Sequence, residues 1–346
     1  MNLSNFLKET EELIGRDNVI KEGHELSVFR RDWWSLLILR EILRHVPNPP
    51  PAVIRPRDVD DVINVVKLAN KYDVCLVPYG GGSSVVGGAY HDGCIVVDMS
   101  RLNRILEFNE EDLTITVEAG AKVSDIEKWL NERGGYTLDY HPQSFQLLTV
   151  GGAIAHGGGT GSHSMSNIDE IVLALDVVLP NGELVTIGPG KFIRTSWPDL
   201  RGLFIGSDGV LGIIVRAMLR VRPLANYYVD LAYMFKDLED AIHFARDLVI
   251  NVPGGPHRVV IHDRESSRFM AGEDGVIALV RVRWYNEELV NVVSDVINNL
   301  AIKHGAAHVE PGLVKKWRDA FARGYETQLM MLAQSGLWVD TIDMAI

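Results

Sequence analysis

Apolar residues recur at helical spacing after Asp58, with Val59, Val62, Ile63, Val66 and Ala69 on one face of a helix that runs to about Tyr72, and Asp58 stands where it can cap the first turn. Short apolar runs on either side predict strands over Ala52 to Arg55, Val74 to Val77 and Ile95 to Asp98, which makes this stretch an α/β unit. Alternating apolar and polar residues follow at Ile105 to Phe108 and Leu113 to Glu118 and predict adjacent antiparallel strands. A helix is expected from Ser124, whose spacing to Glu127 is that of a capping box, to the stop at Gly134 and Gly135. Two further runs, Ile171 to Leu179 and Leu184 to Ile187, flank Pro180-Asn181-Gly182-Glu183, where Asn-Gly favours the positive φ of a tight hairpin turn. A strand from Ile213 to Val221 closes this second unit at Arg222-Pro223.

These elements divide the chain. Residues 1–48 read as a helical segment, ended by Pro47-Asn48-Pro49-Pro50-Pro51, which stiffens the backbone and stops any helix. Residues 49–223 form a domain of two α/β halves, about 49–120 and 121–223. From Leu224 glycine loops thin out, and longer helices at Leu238 to Val249, Glu287 to His304 and Gly312 to Leu332 alternate with short strands such as Val276 to Val282. That predicts a separate α+β domain over 224–346 and an α+β class for the whole chain. The apolar run Trp33 to Arg40 is expected to pack against the main body, because basic residues do not line an opposite face as in a membrane-surface helix.

Composition narrows the function. A content of 47% hydrophobic and 23% charged residues suits a globular protein, and a net charge of −12 without a basic run disfavours nucleic acid as a partner. The N-terminus lacks a signal-peptide pattern, and no window approaches the roughly 20 apolar residues of a membrane span, so a cytoplasmic protein is expected. Cys75 and Cys94 lie in apolar strand-like runs without metal-ligand spacing; both are expected to be buried structural thiols, and no metal site is expected.

Three glycine-rich segments carry the candidate chemistry. The first, Pro78, Tyr79, Gly80, Gly81, Gly82, Ser83 and Ser84, directly follows a strand; three consecutive glycines let backbone N–H groups turn inward around an anion such as a diphosphate, with the two hydroxyls as further donors. The second holds Thr149, Val150, Gly151 and Gly152, then His156, Gly157, Gly158 and Gly159. The third, Gly206 to Gly212, leads into a strand. Taken alone, each could be a tight turn; converging, they would line a long cleft suited to an extended dinucleotide with a flat ring. No G-x-G-x-x-G opens a helix in a βαβ unit and no loop ends in Gly-Lys-Ser or Gly-Lys-Thr, which weakens nicotinamide and ATP readings.

At P-Y-G-G-G-S-S, H-P-Q-S-F-Q-L-L-T-V-G-G and F-I-G-S-D-G-V-L-G-I-I the sequence resembles the FAD-linked oxidases of the vanillyl-alcohol oxidase type, with a PCMH-type FAD-binding domain. Within that family it is most similar to the alkyldihydroxyacetonephosphate synthases and the glycolate oxidase and D-lactate dehydrogenase group. The resemblance implies that Pro78 to Ser84 hold the FAD diphosphate, that Pro142, Gln143, Ser144 and the stretch to Thr149, with His156 to Gly159, run along the flavin, and that Asp208, Gly209, Leu211, Gly212, Ile213 and Ile214 complete the site through backbone groups. Members with covalent FAD in the first loop use a His there; Gly80-Gly81-Gly82 implies a dissociable cofactor.

Several positions depart from the family pattern. Met165-Ser166 stands where a Tyr-Gly pair is common, and Asp208 where Glu is usual. Val260 and Thr327 occupy positions where the synthases are expected to carry arginines, with Arg258 or Arg264 as possible replacements. The tail from Gly336 to Ile346 resembles the start of a cap-domain strand, and the H-x-G-D-G-N-x-H and H-x-S-H patterns are absent. The resemblance therefore implies a partial cap whose catalytic region is supplied by a second polypeptide or a homo-oligomer. The expected activity is oxidation of a small 2-hydroxy acid by hydride transfer to flavin N5, with His156 the candidate base; an ether-lipid transferase and a non-catalytic FAD-binding scaffold remain alternatives.

Overall fold

A computed structural model describes residues 2–142, 144–158, 167–188, 198–252 and 255–309, together with 312, 314 and 315. Two compact units emerge. The first takes in Met1–Leu138, Ser144–Gly158 and Asn167–Arg222, and the second takes in the chain from Pro223 onward with the short stretch that begins at Asp139.

The first unit opens with α1 (Asn2–Ile14), β1 (Val19–Ile20), α2 (Ser35–Ile42), β2 (Val53–Ile54), α3 (Val59–Tyr72), β3 (Leu76–Tyr79) and β4 (Ile95–Asp98). The strands form a sheet in the order β1-β2-β4-β3, with β2, β4 and β3 parallel and β1 antiparallel at the edge. Asp58 caps α3 by accepting from the Asp61 N–H at 2.9 Å, so the helix starts where its spacing placed it. The apolar face of α3 joins Phe6 and Ile14 of α1 and Ile54 and Val97 of the sheet in one buried cluster. In α2, Leu37 and Ile38 turn inward as expected, while Leu39 and Ile42 stay exposed.

The second half of this unit holds β5 (Ile105–Asn109), β6 (Thr114–Glu118), α4 (Val123–Gly134), β7 (Tyr136–Thr137), α5 (Val150–His156), α6 (Ile168–Ile171), β8 (Val172–Val178), β9 (Leu184–Ile187), α7 (Arg201–Phe204), β10 (Ile213–Arg220) and β11 (Arg222–Pro223). Five antiparallel strands run in the order β5-β6-β10-β8-β9, which puts β10 at the centre. The β8–β9 turn has positive φ at Gly182 alone. One local expectation fails: α4 starts at Val123 with Lys122 in the N-cap position and no side-chain cap. Glu127 does not fold back on the helix start because its buried carboxylate accepts from Thr137 Oγ1 at 3.0 Å and from the Leu138 N–H at 2.9 Å. Those acceptor bonds satisfy a charge that burial would otherwise destabilise.

Cys75 and Cys94 are not free thiols. They form a disulfide with Cα atoms 5.0 Å apart. The register explains the pairing, since β3 and β4 are parallel neighbours with Leu76 opposite Ile95, and each cysteine lies one residue before that pair. Cys75 is also exposed rather than buried. The bond closes a sequence separation of 19 residues that contains the whole first glycine loop. Replacing both cysteines by serine is expected to lower unfolding stability by about 3 kcal/mol through restored chain entropy in the unfolded state. A urea midpoint unchanged from wild type, or two thiols that titrate in the untreated native protein, would refute this.

The second unit contains β12 (Tyr227–Phe235), α8 (Leu238–Asn251), β13 (Arg258–His262), α9 (Arg264–Ala271), β14 (Val276–Trp284), α10 (Glu287–Lys303) and β15 (Ala307–His308). Its sheet is antiparallel in the order β13-β14-β12-β15. Alternation along the strands gives one face to the core, where Tyr233, Phe235, Val280 and Val282 pack with Phe244 and Leu248 of α8 and Val293 and Ile297 of α10. Residues on the alternate set include Arg258, Arg281 and Asp230, in register across three strands, with Arg281 bidentate to Asp230 at 2.6 and 2.9 Å. The expected helix from Gly312 to Leu332 falls outside the described residues apart from 312, 314 and 315, as do Thr327 and the tail.

Candidate functional site

The first glycine loop begins where β3 ends, and its glycines are required by close approach. A Cβ on Gly80 would lie 2.2 Å from Thr149 Oγ1, and one on Gly81 would lie 1.9 Å from the backbone oxygen of Leu147. Gly82 has a φ of +64°, and a Cβ there would meet the Tyr79 hydroxyl at 1.9 Å. Side chains are thus excluded where the loop packs against the segment that leads into α5. The backbone N–H groups of Gly80, Gly81, Gly82, Ser83 and Ser84 donate no hydrogen bond among the described residues, although Gly82 and Ser83 are buried. Buried main-chain donors are nearly always paired, so five consecutive unused ones form a cradle that an anionic group fits.

The other two glycine segments are tied to each other by main-chain hydrogen bonds, and both approach this loop closely. Thr149 caps α5 through Gly152 N at 3.3 Å, and Gly151 N donates to Ala119 O at 2.7 Å, which fixes the start of α5 against the end of β6. From the third segment, Gly206 N donates to Ile154 O at 3.0 Å and Asp208 N to Ala155 O at 2.7 Å. Gly209, with a φ of +79°, sits so close to the first loop that a Cβ would be 2.8 Å from Pro78 Cγ. Gly212 packs on Val177 of β8. His156 ends α5 with its Nδ1 3.4 Å from Asp208 Oδ1 and its ring partly open to solvent.

Pro78 to Ser84, Ser144, Thr149 to Gly152, His156 to Gly158 and Asp208 to Ile214 all belong to the first unit, and the contacts above join members of all three segments. Ser144 takes part through its carbonyl, which accepts from Leu147 N and Leu148 N. Ile213 and Ile214 have buried side chains, leaving only their backbone for a site role. Pro142 belongs to the second unit, and Gln143, Gly159, His163 and Met165-Ser166 fall outside the described residues. The Ser84 hydroxyl is engaged within the protein: Oγ accepts from Gly88 N at 3.0 Å and Val86 N at 3.3 Å, and it bonds to the Asp32 carboxylate. Burial, with Asp32 and Asp98 nearby, pushes the Tyr79 hydroxyl up to about 12, so it remains a neutral member of the loop's base. A cleft of about 530 Å³ elsewhere in this unit, lined by Asn2, Leu3, Pro51, Asp73, Val74, Cys75, Gly93 and Ile95, contains none of the loop residues.

The sequence model of a family described as an FAD binding domain matches residues 50–188, the span that holds the first two glycine segments. The chain carries an FAD-binding domain of the PCMH type. Three curated relatives agree with this placement in the FAD-linked oxidoreductases. Alkyldihydroxyacetonephosphate synthase of Trypanosoma brucei brucei is 30% identical over 245 residues, covering 68% of this chain and 39% of the relative. Glycolate oxidase subunit GlcD of Bacillus subtilis (strain 168) is 31% identical over 204 residues, 58% of this chain and 43% of the relative. D-2-hydroxyglutarate dehydrogenase of Xanthomonas citri pv. viticola is 36% identical over 203 residues, 58% of this chain and 41% of the relative. The chain spans about two fifths of the length of these proteins. A solved alkyldihydroxyacetonephosphate synthase superposes with a TM-score of 0.77 over 92% of this chain and 65% of its own at 20% identity, which establishes the PCMH-type fold.

The cradle fits the FAD this domain family binds. Its donors are main-chain amides suited to a diphosphate, and its walls exclude Cβ atoms where a ligand and a second backbone must approach together. Among the described residues no group of three His, Cys, Asp or Glu side chains is placed to hold a metal ion, and no helix is long and apolar enough to cross a membrane. The residues that sequence reasoning missed are Asp32 to Trp34, which lie before the matched span yet contact the first loop: Trp33 N donates to Ser84 O at 2.9 Å. Their only signal was an acid between two arginines and two tryptophans, just ahead of an apolar run.

Proposed function

We propose that this chain is the FAD-binding part of a dehydrogenase that oxidises a small 2-hydroxy acid, with the cofactor held non-covalently. The observation that carries the reading is the run of unused backbone donors from Gly80 to Ser84, walled by Thr149 and Gly209. No histidine stands in that loop and both cysteines are spent on a disulfide, which supports a dissociable cofactor. FAD, when bound, supplies the acceptor for a hydride. Gly80 to Ser84 hold the diphosphate through N–H donation, and His156, oriented by Asp208 at its Nδ1, takes the substrate's hydroxyl proton at Nε2. The relatives named for glycolate and D-2-hydroxyglutarate support the substrate class, and the subunit in one of those names supports work within an assembly.

One observation favours a second reading. The match to the T. brucei synthase extends over 245 residues, further than the 204 and 203 of the other two relatives, which supports an ether-forming transferase. A single experiment separates them. The FAD-loaded protein, with any co-purifying partner retained, is mixed anaerobically with glycolate, D-lactate or D-2-hydroxyglutarate. Bleaching of the oxidised-flavin band with one equivalent of 2-oxo acid is expected; flavin that stays oxidised with all three acids refutes the dehydrogenase. Acid precipitation should leave the yellow colour in the supernatant, and colour retained in the pellet refutes non-covalent binding.

A further inference from the structure

Asp32 is 1% exposed, and it lies among loop backbone rather than opposite a cation. One carboxylate oxygen accepts from Trp34 N at 2.9 Å and the other from Ala89 N at 3.3 Å. Its third partner is the Ser84 hydroxyl, whose oxygen in turn accepts from Val86 N and Gly88 N. The donors in the second half of the first loop, at residues 86, 88 and 89, are therefore consumed by one buried acid and the serine it holds. Those in the first half, Gly80 to Ser84, are left over among the described residues. Packing reinforces the arrangement: Phe29 meets Tyr79 edge to face at 4.9 Å between ring centroids, and a Cβ on Gly87 would be 2.9 Å from the Trp34 ring. Burial raises the Asp32 carboxyl above its ordinary range, outweighing the opposite effect of its Trp34, Ala89 and Ser84 donors.

We infer that Asp32 is a positioning residue of the FAD site: by accepting from Ala89 N and holding Ser84, whose oxygen takes up Val86 N and Gly88 N, it sets the first half of the loop in the shape that presents its N–H groups to the diphosphate. The N-terminal segment is on this account a working part of the cofactor site, although it precedes the span matched to the FAD-binding family. The inference rests on FAD binding and not on the identity of the substrate.

FAD titrated into the apoprotein and followed by flavin fluorescence tests it. Asp32→Ala is expected to weaken FAD binding about tenfold or more, because two backbone donors and a hydroxyl lose their acceptor. Asp32→Asn, which keeps an acceptor for Trp34 N but turns an amide donor toward Ala89 N, should fall between Asp32→Ala and wild type. Asp58→Ala, which removes the α3 cap far from the loop in sequence, provides a control that lowers apoprotein melting while leaving FAD affinity unchanged. Wild-type affinity in either Asp32 variant overturns the inference, as does an equal loss of affinity in Asp58→Ala at matched melting temperature. Should Asp32→Ala fail to fold, Asp32→Asn decides.

Discussion

Alanine at Gly81 should leave the protein folded and nearly unable to bind FAD, with the dissociation constant raised on the order of 100-fold, about 3 kcal/mol. The new Cβ would stand 1.9 Å from the Leu147 backbone oxygen, and a main-chain atom cannot rotate away as a side chain does. The loop must therefore retreat, taking the N–H groups of residues 80 to 84 out of their common arrangement. Gly202→Ala is the matched control, since a Cβ there meets nothing within 4 Å and its position is helical. Flavin fluorescence titration reads both variants; a Gly81→Ala affinity within threefold of wild type would show that the close approach does not shape the cradle.

Acidification is expected to weaken the second unit well before carboxylates alone would. Burial pushes His141 and His262 down from 6.5 to about 4. The unfolded chain takes up a proton on each below about 6.5, whereas the folded unit resists until about 4, so the stability present at neutral pH is lost as pH falls through that window. Each histidine accounts for roughly 3 kcal/mol at the acid end. The β13 histidine makes the cleaner test, because its Nδ1 contact to Ser266 Oγ at 3.0 Å is one a glutamine can replace. Urea midpoints at pH 7 and 4.5 should converge for His262→Gln relative to wild type; equal slopes for the two proteins would remove histidine from the explanation.

Much of the fold was legible because its signals are local. Asp58 and the spacing of Val59 to Ala69 marked α3, and the Gly134-Gly135 pair marked the end of α4, where Gly135 adopts the left-handed conformation. What escaped depends on contacts between distant residues. Glu127 matches a capping box in sequence, yet Thr137 and Leu138 compete for its carboxylate only after the chain has turned back. Cys75 and Cys94 read as buried thiols until the parallel register of β3 and β4 sets them side by side. The glycine segments were recognisable by composition, but that Gly81 faces Leu147 and Gly209 faces Pro78 is tertiary information. Asp32 was the least visible of all, since its role is defined by three partners more than 50 residues away or in its own turn.

The cradle between β3 and α5 is built almost wholly from peptide groups, with Thr149 the principal side chain against it. Amides are common to every residue but proline, so side chains around the loop other than Asp32 and Ser84 contribute little of the recognition chemistry. The shape of the loop therefore matters more than its side chains, and a methyl added at any of positions 80 to 82 is expected to disturb it.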